Sequence, residues 1–374
     1  MTMRAKDLGL YVHIPLCVRK CNYCDFCSYP LTDASWRERY VDLLCEEIKG
    51  YKGKDYSADT VFFGGGTPSL LSGPKLKRIM SSLRESFHIK DCAEITLEAN
   101  PGAVTEEGIE DYISAGVNRI SLGLQSIHEN ELENLGRIHS YTDFLKTFKL
   151  AREAGIDKIN VDLMYGIPNQ TAASFSETLD ALCELSPEHL SVYGLILEEG
   201  TPFYGARGSL NLPSADSECD MYELACKKLS SAGYNHYEIS NYSRDGRASR
   251  HNLKYWRGEE YIGFGVSAYS YLGGVRFGNP RDIDLYLEGD RFGDVEKVDS
   301  PELLREEYIM LRLRLSEGFS LEEYRERFDR DFLFENMNMV KRLTEAGLAR
   351  VFNGRFSLTE RGLYVSNSII CELL

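Results

Sequence analysis

The 374-residue sequence contains no apolar run near the roughly 20 residues that a membrane-spanning helix requires. Its first residues, Met1 to Gly9, also lack the hydrophobic core of a secretion signal. Basic residues are outnumbered, with 43 Lys and Arg against 58 Asp and Glu and a net charge of -15, which argues against nucleic acid as the main partner. We therefore expect a cytoplasmic protein with no integral membrane segment, and peripheral membrane contact stays open.

Cysteine is not scarce: four of the ten cysteines crowd together as Cys17, Cys21, Cys24 and Cys27. An acidic chain of this size without a secretion signal is not a disulfide scaffold, and structural zinc usually takes two cysteine pairs separated by a longer span. Iron–sulfur proteins do space their cysteines this closely. If all four bind, the cluster is a closed electron-transfer centre. If Cys17, Cys21 and Cys24 bind alone, one iron stays open for another ligand, and spacing does not decide between the two.

Short β-branched segments alternate with amphipathic helical segments from Leu8 to about residue 200. The predicted strands are Leu10–Ile14, Thr60–Phe63, Glu94–Glu98, Arg119–Leu124, Lys158–Met164 and Leu190–Leu195. The predicted helices are Trp36–Lys49, Pro74–Phe87, Glu106–Ser114, Thr142–Glu153 and Phe175–Leu185. Such alternation is typical of parallel βαβ units, and glycines after Ala115 and Ala154 suit helix caps. Six units predict an α/β fold, a partial (β/α)6 barrel over residues 1–200.

Two further units are expected after the barrel. Residues 201–298 are predicted to form an irregular extension with one helix near Glu218–Ser231. Residues 299–374 are predicted to form a C-terminal, mainly helical, winged-helix-like domain, because three helical segments precede a hairpin with an Asn353-Gly354 turn. Acidic residues outnumber basic ones there, so a packing or lid role is favoured over DNA binding. The segments are Glu302–Leu315, Leu321–Phe328, Met337–Ala346, Leu348–Phe352 and Arg355–Leu358.

Residues capable of chemistry follow the predicted strands at the point where each strand ends. In a (β/α) barrel these positions form the active mouth. In chain order they are the cysteine loop after His13-Ile14-Pro15, the glycine loop Gly64-Gly65-Gly66-Thr67-Pro68, Glu98 with Asn100, Gln125, and Asp162. The sequence therefore predicts one functional mouth that gathers thiols, a glycine loop, two carboxylates and an amide.

Two segments carry a specific resemblance: Tyr11-Val12-His13-Ile14-Pro15-x-Cys17-x3-Cys21-Asn22-Tyr23-Cys24, and the glycine loop. They resemble the radical S-adenosylmethionine (SAM) superfamily, and most of all its branch of oxygen-independent coproporphyrinogen III oxidases and HemW haem chaperones. The resemblance implies that Cys17, Cys21 and Cys24 hold a [4Fe-4S] cluster and that Cys27 is not a ligand. The SAM-binding residues that it implies are Tyr11, Tyr23, Gly65, Gly66, Thr67, Glu98, Gln125, Arg137, Asp162, Ile196 and Tyr269.

Within that branch, two features favour the haem chaperones. Only sixteen residues precede Cys17, whereas the oxidases carry a long N-terminal extension, and residues 250–256 (RHNLKYW) match the chaperones' HNxxYW motif. The resemblance implies a haem site formed by His251, Asn252, Tyr255 and Trp256, with His251 as the axial ligand. A neutral imidazole can ligate haem iron, and aromatic rings can cover a flat macrocycle. Candidates to receive the haem propionates are Arg244, Arg247, Arg250, Lys254 and Arg257.

The favoured function is a radical-SAM-type protein that binds haem and passes it to an acceptor protein, with an electron donor such as flavodoxin or ferredoxin. The alternative is an enzyme, a coproporphyrinogen III oxidase that decarboxylates its substrate by radical chemistry to protoporphyrinogen IX. Whether the chain is an enzyme therefore stays open. A plain ferredoxin-like electron carrier is a third class, which requires Cys27 as a fourth ligand and gives the loop Gly64–Thr67 no role.

Overall fold

The computed structural model describes residues 7–31, 35–290, 293, 295–297 and 300–374. The strands are β1 (Leu8–Ile14), β2 (Leu16–Cys17), β3 (Tyr29–Pro30), β4 (Ser57–Gly65), β5 (His88–Ala99), β6 (Arg119–Gln125), β7 (Ile159–Tyr165), β8 (His189–Gly194), β9 (Asn235–Glu238), β10 (Asn241–Ser243), β11 (Tyr261–Phe264), β12 (Tyr269–Leu272), β13 (Val275–Gly278), β14 (Val295–Lys297), β15 (Phe319–Ser320), β16 (Ala349–Phe352) and β17 (Arg355–Leu358). The helices are α1 (Ser35–Lys49), α2 (Gly73–Ser86), α3 (Glu106–Ala115), α4 (Glu129–Leu135), α5 (Tyr141–Glu153), α6 (Ala172–Leu185), α7 (Pro202–Ala206), α8 (Ala215–Ser231), α9 (Arg250–Arg257), α10 (Ile283–Glu288), α11 (Pro301–Arg312), α12 (Leu321–Phe328), α13 (Phe332–Glu335), α14 (Met337–Glu345), α15 (Glu360–Tyr364) and α16 (Ser366–Leu373).

A twelve-stranded sheet with a parallel centre forms the barrel. The six predicted strands are β1, β4, β5, β6, β7 and β8, which pair in that order and all run parallel. The prediction of an α/β partial barrel is confirmed. Strand β11 adds a further parallel strand on the other side of β1, with Gly9 opposite Tyr261. Antiparallel strands then extend both edges, β12 to β14 beyond β11 and β10 with β9 beyond β8.

The two faces of the parallel strands differ in chemistry. Because successive side chains of a strand point to opposite faces, β5 sends Ile95 and Leu97 to the buried helix-facing layer and Thr96 and Glu98 to the lumen. The helix-facing side chains are apolar and join one large core. The lumen side chains are mostly polar, so the interior of this open barrel is suited to hold a ligand rather than a packed apolar core.

Glycine closes two of the barrel helices, as predicted. Gly116 and Gly155 have φ angles of +102° and +86°, a region that glycine reaches without the strain imposed by a Cβ atom. Each glycine is followed by an apolar residue that leads into the next strand, Val117 before β6 and Ile156 before β7.

The stretch after Thr201, expected to be irregular, contains regular elements from α7 to β14. Helix α9 closes the lumen at the end opposite the cysteine loop. The first turn of α9 is bonded to the middle of β5, where the Arg250 backbone N–H donates to Glu94 Oε1 at 2.9 Å. Its Lys254 donates to the carbonyl of Asp7, just before β1, at 2.8 Å. The HNxxYW motif therefore forms the floor of the barrel.

The C-terminal unit has its own apolar core around Phe319, Phe332 and Phe356. The predicted helices appear as α11, α12 and α14, and the hairpin as β16 and β17, with β15 as a third strand. Helices α13, α15 and α16 were not predicted. None of the described helices is both long and apolar enough to cross a bilayer.

Candidate functional site

Two adjoining cavities lie at the carboxyl ends of the parallel strands. The smaller, about 130 Å³, is lined by the thiol loop and by Arg137. The larger, about 440 Å³, extends from the mouth down to Ser249 and Asn252 on the barrel floor. The residues that line both are Tyr23, Phe26, Gly65, Glu98, Ser121, Gln125 and Asp162. The two cavities therefore form one continuous ligand space.

Three of the four crowded cysteines face the smaller cavity: Cys17, Cys21 and Cys24. Arg137 Nη1 donates to Cys21 Sγ at 3.6 Å. Cys27 is directed elsewhere, because its thiol donates to the carbonyl of Arg281 at 3.3 Å.

The three thiols have the chemistry that an iron–sulfur cluster requires. Among the described residues, no three His, Cys, Asp or Glu side chains are arranged to hold one metal ion. An iron–sulfur cluster is larger than an ion, and short cysteine loops are its usual ligands. Three thiols around one cavity match that requirement.

Arg137, which lines the same cavity, has one buried donor without a partner among the described residues. Its Nη2 donates to Asn100 Oδ1 at 2.8 Å and to the carbonyl of Gly123. Its Nε is buried and has no hydrogen-bond partner among the residues that the structure describes. Buried donors are almost always paired in native proteins, so this atom points to a missing acceptor. A carboxylate is the natural partner of a guanidinium.

Two carboxyl groups line the space between the cavities. Glu98 Oε2 accepts from the backbone N–H of Gly65 at 3.2 Å. Burial, reinforced by the neighbouring Asp162, raises the pKa of Glu98 to about 8. Burial also raises the pKa of Asp162, which accepts from Asn160 Nδ2 at 2.7 Å. Glu98 is therefore mostly protonated at neutral pH and can both donate to and accept from a ligand hydroxyl.

This protonation makes stability depend on pH. Between the ordinary carboxyl pKa of about 4.3 and the folded value of about 8, the folded apoprotein keeps a proton that the unfolded chain has lost, so its stability falls as pH rises. We expect Glu98→Gln to flatten this slope and to be more stable than the parent at pH 8 by about 1–2 kcal/mol. Urea unfolding at pH 5, 7 and 9 measures how the free energy of unfolding changes with pH. The control is Glu184→Gln, because Glu184 is exposed. An unchanged slope in Glu98→Gln would contradict the assignment.

The glycine loop is shaped by the strand beneath it. A Cβ atom at Gly65, whose φ is +110°, would lie 2.6 Å from the His13 ring, and one at Gly66 would lie 2.5 Å from the carbonyl oxygen of Leu16. The His13 ring is held by the Tyr11 hydroxyl at 3.0 Å and by the carbonyl of Cys27 at 2.7 Å. Burial lowers the pKa of His13 to about 4, so the ring is neutral. His13 therefore supports the loop, a role that its place in the motif did not reveal.

Substitution of Gly65 tests that close packing. We expect Gly65→Ala to lose about 2–4 kcal/mol of unfolding free energy, since it combines backbone strain with a steric clash. Gly53→Ala is the matched control, because Gly53 also has a positive φ, +82°, but a Cβ added there would meet none of the described atoms within 4 Å. The control is expected to lose only about 1 kcal/mol. Equal losses in the two variants would show that contact with His13 does not matter.

Most of the remaining predicted SAM residues lie in this space. Tyr11 lines the larger cavity and Tyr23 lines both. Thr67 Oγ1 accepts from Asn100 Nδ2 at 2.9 Å. Gln125 is buried and has a φ of +74°, which is a strained conformation for a residue other than glycine and is often found at functional sites.

Ile196 and Tyr269 are not brought to either cavity. Ile196 is 67% exposed, and the Tyr269 ring lies against Gly278, where an added Cβ would come within 2.8 Å of it. Their predicted contact with SAM stays a prediction.

His251 lies in the barrel floor with both ring nitrogens engaged. Nδ1 is 2.8 Å from Thr60 Oγ1, and Nε2 is 2.9 Å from the Tyr255 hydroxyl. The side chain is 1% exposed and stacks on Phe62 at 5.2 Å. Burial lowers the pKa of His251 to about 3, so the imidazole is neutral. Coordination of an iron at His251 therefore requires one of the two hydrogen bonds to break.

The other residues of the motif face different surroundings. Asn252 lines the larger cavity. The Tyr255 ring meets Tyr261 edge-on at 4.7 Å. Trp256 lies under the guanidinium of Arg314 at 5.8 Å, so the motif spans from the lumen to the C-terminal unit.

The basic residues near the motif already have partners. Arg247 pairs with Asp157 at 3.1 Å, and Arg257 pairs with Glu317 at 3.6 Å. Arg250 and Lys254 both pair with Asp59 at 2.9 Å, and Arg244 donates to the carbonyl of Ala232. Four of the five candidate propionate receptors are therefore ion-paired with the chain's own acids, and Arg244 has only a neutral carbonyl as partner among the described residues.

Comparison with known proteins places these features in a family. Two family models match: "Radical SAM superfamily" over residues 11–182 and "HemN C-terminal domain" over residues 299–365. The chain is similar to the heme chaperone HemW of Bacillus subtilis, with 36% identity over 97% of this chain and 98% of the relative. It is also similar to HemW of Lactococcus lactis, with 34% identity over 100% and 98%, and of Escherichia coli, with 40% identity over 84% and 85%.

Among solved structures, coproporphyrinogen III oxidase (HemN) from Escherichia coli has a TM-score of 0.85 and covers 98% of this chain and 90% of its own, at 23% identity. That likeness shows the fold alone. The similarity to HemW of Bacillus subtilis and of Lactococcus lactis extends over 97% and 100% of this chain. The protein therefore belongs to the radical SAM superfamily, in its family of HemW haem chaperones.

Proposed function

We propose that this protein is a cytoplasmic haem chaperone of the radical SAM type, which binds haem together with a [4Fe-4S] cluster and SAM and transfers haem to an acceptor protein. The observation that carries the proposal is the near-full-length similarity to proteins named heme chaperone HemW. A reducing compartment is supported by the ten free thiols, three of which face one cavity.

We assign the cluster to Cys17, Cys21 and Cys24, and SAM to the adjoining cavity space. A bound cluster would supply the electron that reduction of a sulfonium requires, delivered to it by a donor such as flavodoxin or ferredoxin. Arg137 would hold the SAM carboxylate through its free Nε. The protonated Glu98 and the hydrogen-bonded Asp162 would orient ribose hydroxyls.

We assign haem to the floor helix, with His251 as axial ligand and Asn252, Tyr255 and Trp256 around it. A neutral imidazole is the form that ligates iron. The hydrogen bond between His251 and Tyr255 closes the site in this structure, so haem binding is coupled to a local rearrangement of α9.

The two binding functions are proposed to map onto the first two of three units of the chain. Residues 1–200 carry the cluster and SAM, residues 201–298 carry the haem motif, and residues 299–374 form the C-terminal domain. Contact between the last two is supported by Arg314, which lies over Trp256.

The oxidase alternative is separated from the chaperone by one experiment. Cluster-loaded protein is incubated without oxygen with SAM, a reductant and coproporphyrinogen III, and the products are identified by mass spectrometry. We expect no protoporphyrinogen IX, while haem-loaded protein passes haem to an added apo-haemoprotein. Sustained decarboxylation would overturn the proposal and make the protein a haem-synthesis enzyme.

A further inference from the structure

The larger cavity continues past Glu98 and Asp162 toward the barrel floor. The polar side chains that line this part are assigned neither to the cluster nor to SAM. We call this part the lower lumen, defined by Thr96, Arg119, His189, Ser249 and Asn252, which all line the cavity. Thr96 on β5 and Arg119 on β6 are register partners in the parallel sheet. Their side chains therefore enter the lumen side by side.

Arg119 is a buried cation that lacks a full set of partners. It is 2% exposed. Its Nη1 donates to the carbonyl of Arg247 at 3.0 Å, while its Nη2 is buried with no hydrogen-bond partner among the described residues. Burial of a charge is costly unless the charge is paired and its hydrogen bonds are satisfied, so Nη2 points to an absent acceptor.

Glu94, the acid that pairs with Arg119, also accepts a hydrogen bond from α9. Glu94 Oε2 lies 3.8 Å from Arg119 Nη1, which is beyond hydrogen-bond distance. Its Oε1 accepts from the Arg250 backbone N–H at 2.9 Å, in the first turn of α9. That first turn also faces the lower lumen through Ser249 and Asn252, and a helix N-terminus favours negative charge.

The hydroxyl beside Arg119 is free as well. Thr96 Oγ1 is buried and has no partner in the described part of the chain. On the adjoining strands β7 and β8 the polar groups are already paired, because Asn160 Oδ1 accepts from His189 Nδ1 at 2.6 Å and from Ser191 Oγ at 3.1 Å. Two free donors on adjacent strands, one of them charged, form the complement of a carboxylate.

We propose that the lower lumen is a carboxylate subsite, in which Arg119 Nη2 and Thr96 Oγ1 hold a carboxylate group of a small-molecule ligand. The carboxylate belongs either to a haem propionate or to a free small carboxylic acid. The haem source rests on the proposed haem-binding function, and the free-acid source does not.

Two variants test the subsite. Thr96→Val removes a hydroxyl that has no partner among the described residues, so it is expected to fold as well as the parent. The double variant Glu94→Gln with Arg119→Met removes the guanidinium without leaving Glu94 as an unpaired buried charge. Thr178→Val, at an equally buried position in α6 outside the lumen, is the control.

The probes are haem, haem dimethyl ester and sodium propionate, applied to the full-length, cluster-loaded protein. If haem supplies the carboxylate, Thr96→Val weakens haem binding by about 3- to 10-fold and the double variant by about 10- to 100-fold. Binding of the ester is then unchanged by either variant. If a free acid is the ligand, haem and ester respond alike, and propionate stabilises the parent against heat but not the two variants.

The subsite is overturned if both lumen variants match Thr178→Val with all three probes, since the lower lumen would then hold only water. A parent protein that binds no haem contradicts the proposed function instead. In that case the propionate response decides for or against the subsite.

Discussion

Cys21→Ala protein is expected to assemble no [4Fe-4S] cluster on anaerobic reconstitution, and Cys27→Ala protein is expected to assemble as much as the parent. Cys21 faces the smaller cavity with Cys17 and Cys24 and accepts from Arg137, whereas the Cys27 thiol donates to the Arg281 carbonyl. Removal of one of three thiolates leaves too few ligands to hold a cluster. Bound iron per chain is expected to fall about tenfold or more, as measured by iron and sulfide analysis.

Comparison of the two variants separates the loss of a cluster ligand from general damage to the loop. Cys21 and Cys27 lie six positions apart in one loop, so both substitutions perturb the loop to a similar degree. A cluster that is lost in Cys27→Ala as completely as in Cys21→Ala would indicate four protein ligands. That result would favour a closed electron carrier and remove the open iron that SAM needs.

His251→Ala is expected to weaken haem binding by about 10- to 100-fold while the bound iron and sulfide of the cluster stay unchanged. The His251 ring lies in the barrel floor, away from the thiol loop, and is neutral because burial lowers its pKa to about 3. Tyr255→Phe is expected to act in the opposite direction. It removes the hydroxyl on His251 Nε2 and keeps the ring, so haem binding should tighten by roughly fivefold.

Soret-monitored titrations measure both effects, with circular dichroism to verify folding. The two variants are expected to change haem affinity in opposite directions. General damage to α9 would instead weaken haem binding in both. An unchanged haem spectrum and affinity in His251→Ala would exclude His251 as the axial ligand. Weaker binding in Tyr255→Phe would show that the Tyr255 hydroxyl contributes to the haem site itself.

The barrel was predictable because its strands and helices are long and strongly patterned. Each of the six predicted strands overlaps an observed one, and the residues placed at their ends gather at one mouth. The short strand β11 was not predicted, since four residues, Tyr261–Phe264, carry no usable periodicity. Its pairing with β1 depends on tertiary contacts.

The lumen carried a signal that could have been found in the sequence. Glu94, Thr96 and Glu98 alternate with apolar residues along β5, as do Arg119 and Ser121 along β6. A period of two with polar residues inside predicts a polar lumen once the barrel is accepted. Contacts between distant segments were beyond reach, including His13 under Gly65 and Thr60 on His251.

Titration of haem into protein loaded with cluster and SAM, without oxygen, is the decisive test of whether this protein is a haem chaperone. We expect a saturable Soret change with one haem per chain, weakened in His251→Ala and kept in Cys27→Ala. A featureless, non-saturating response, identical in parent and His251→Ala, would contradict the assignment of this protein as a haem chaperone.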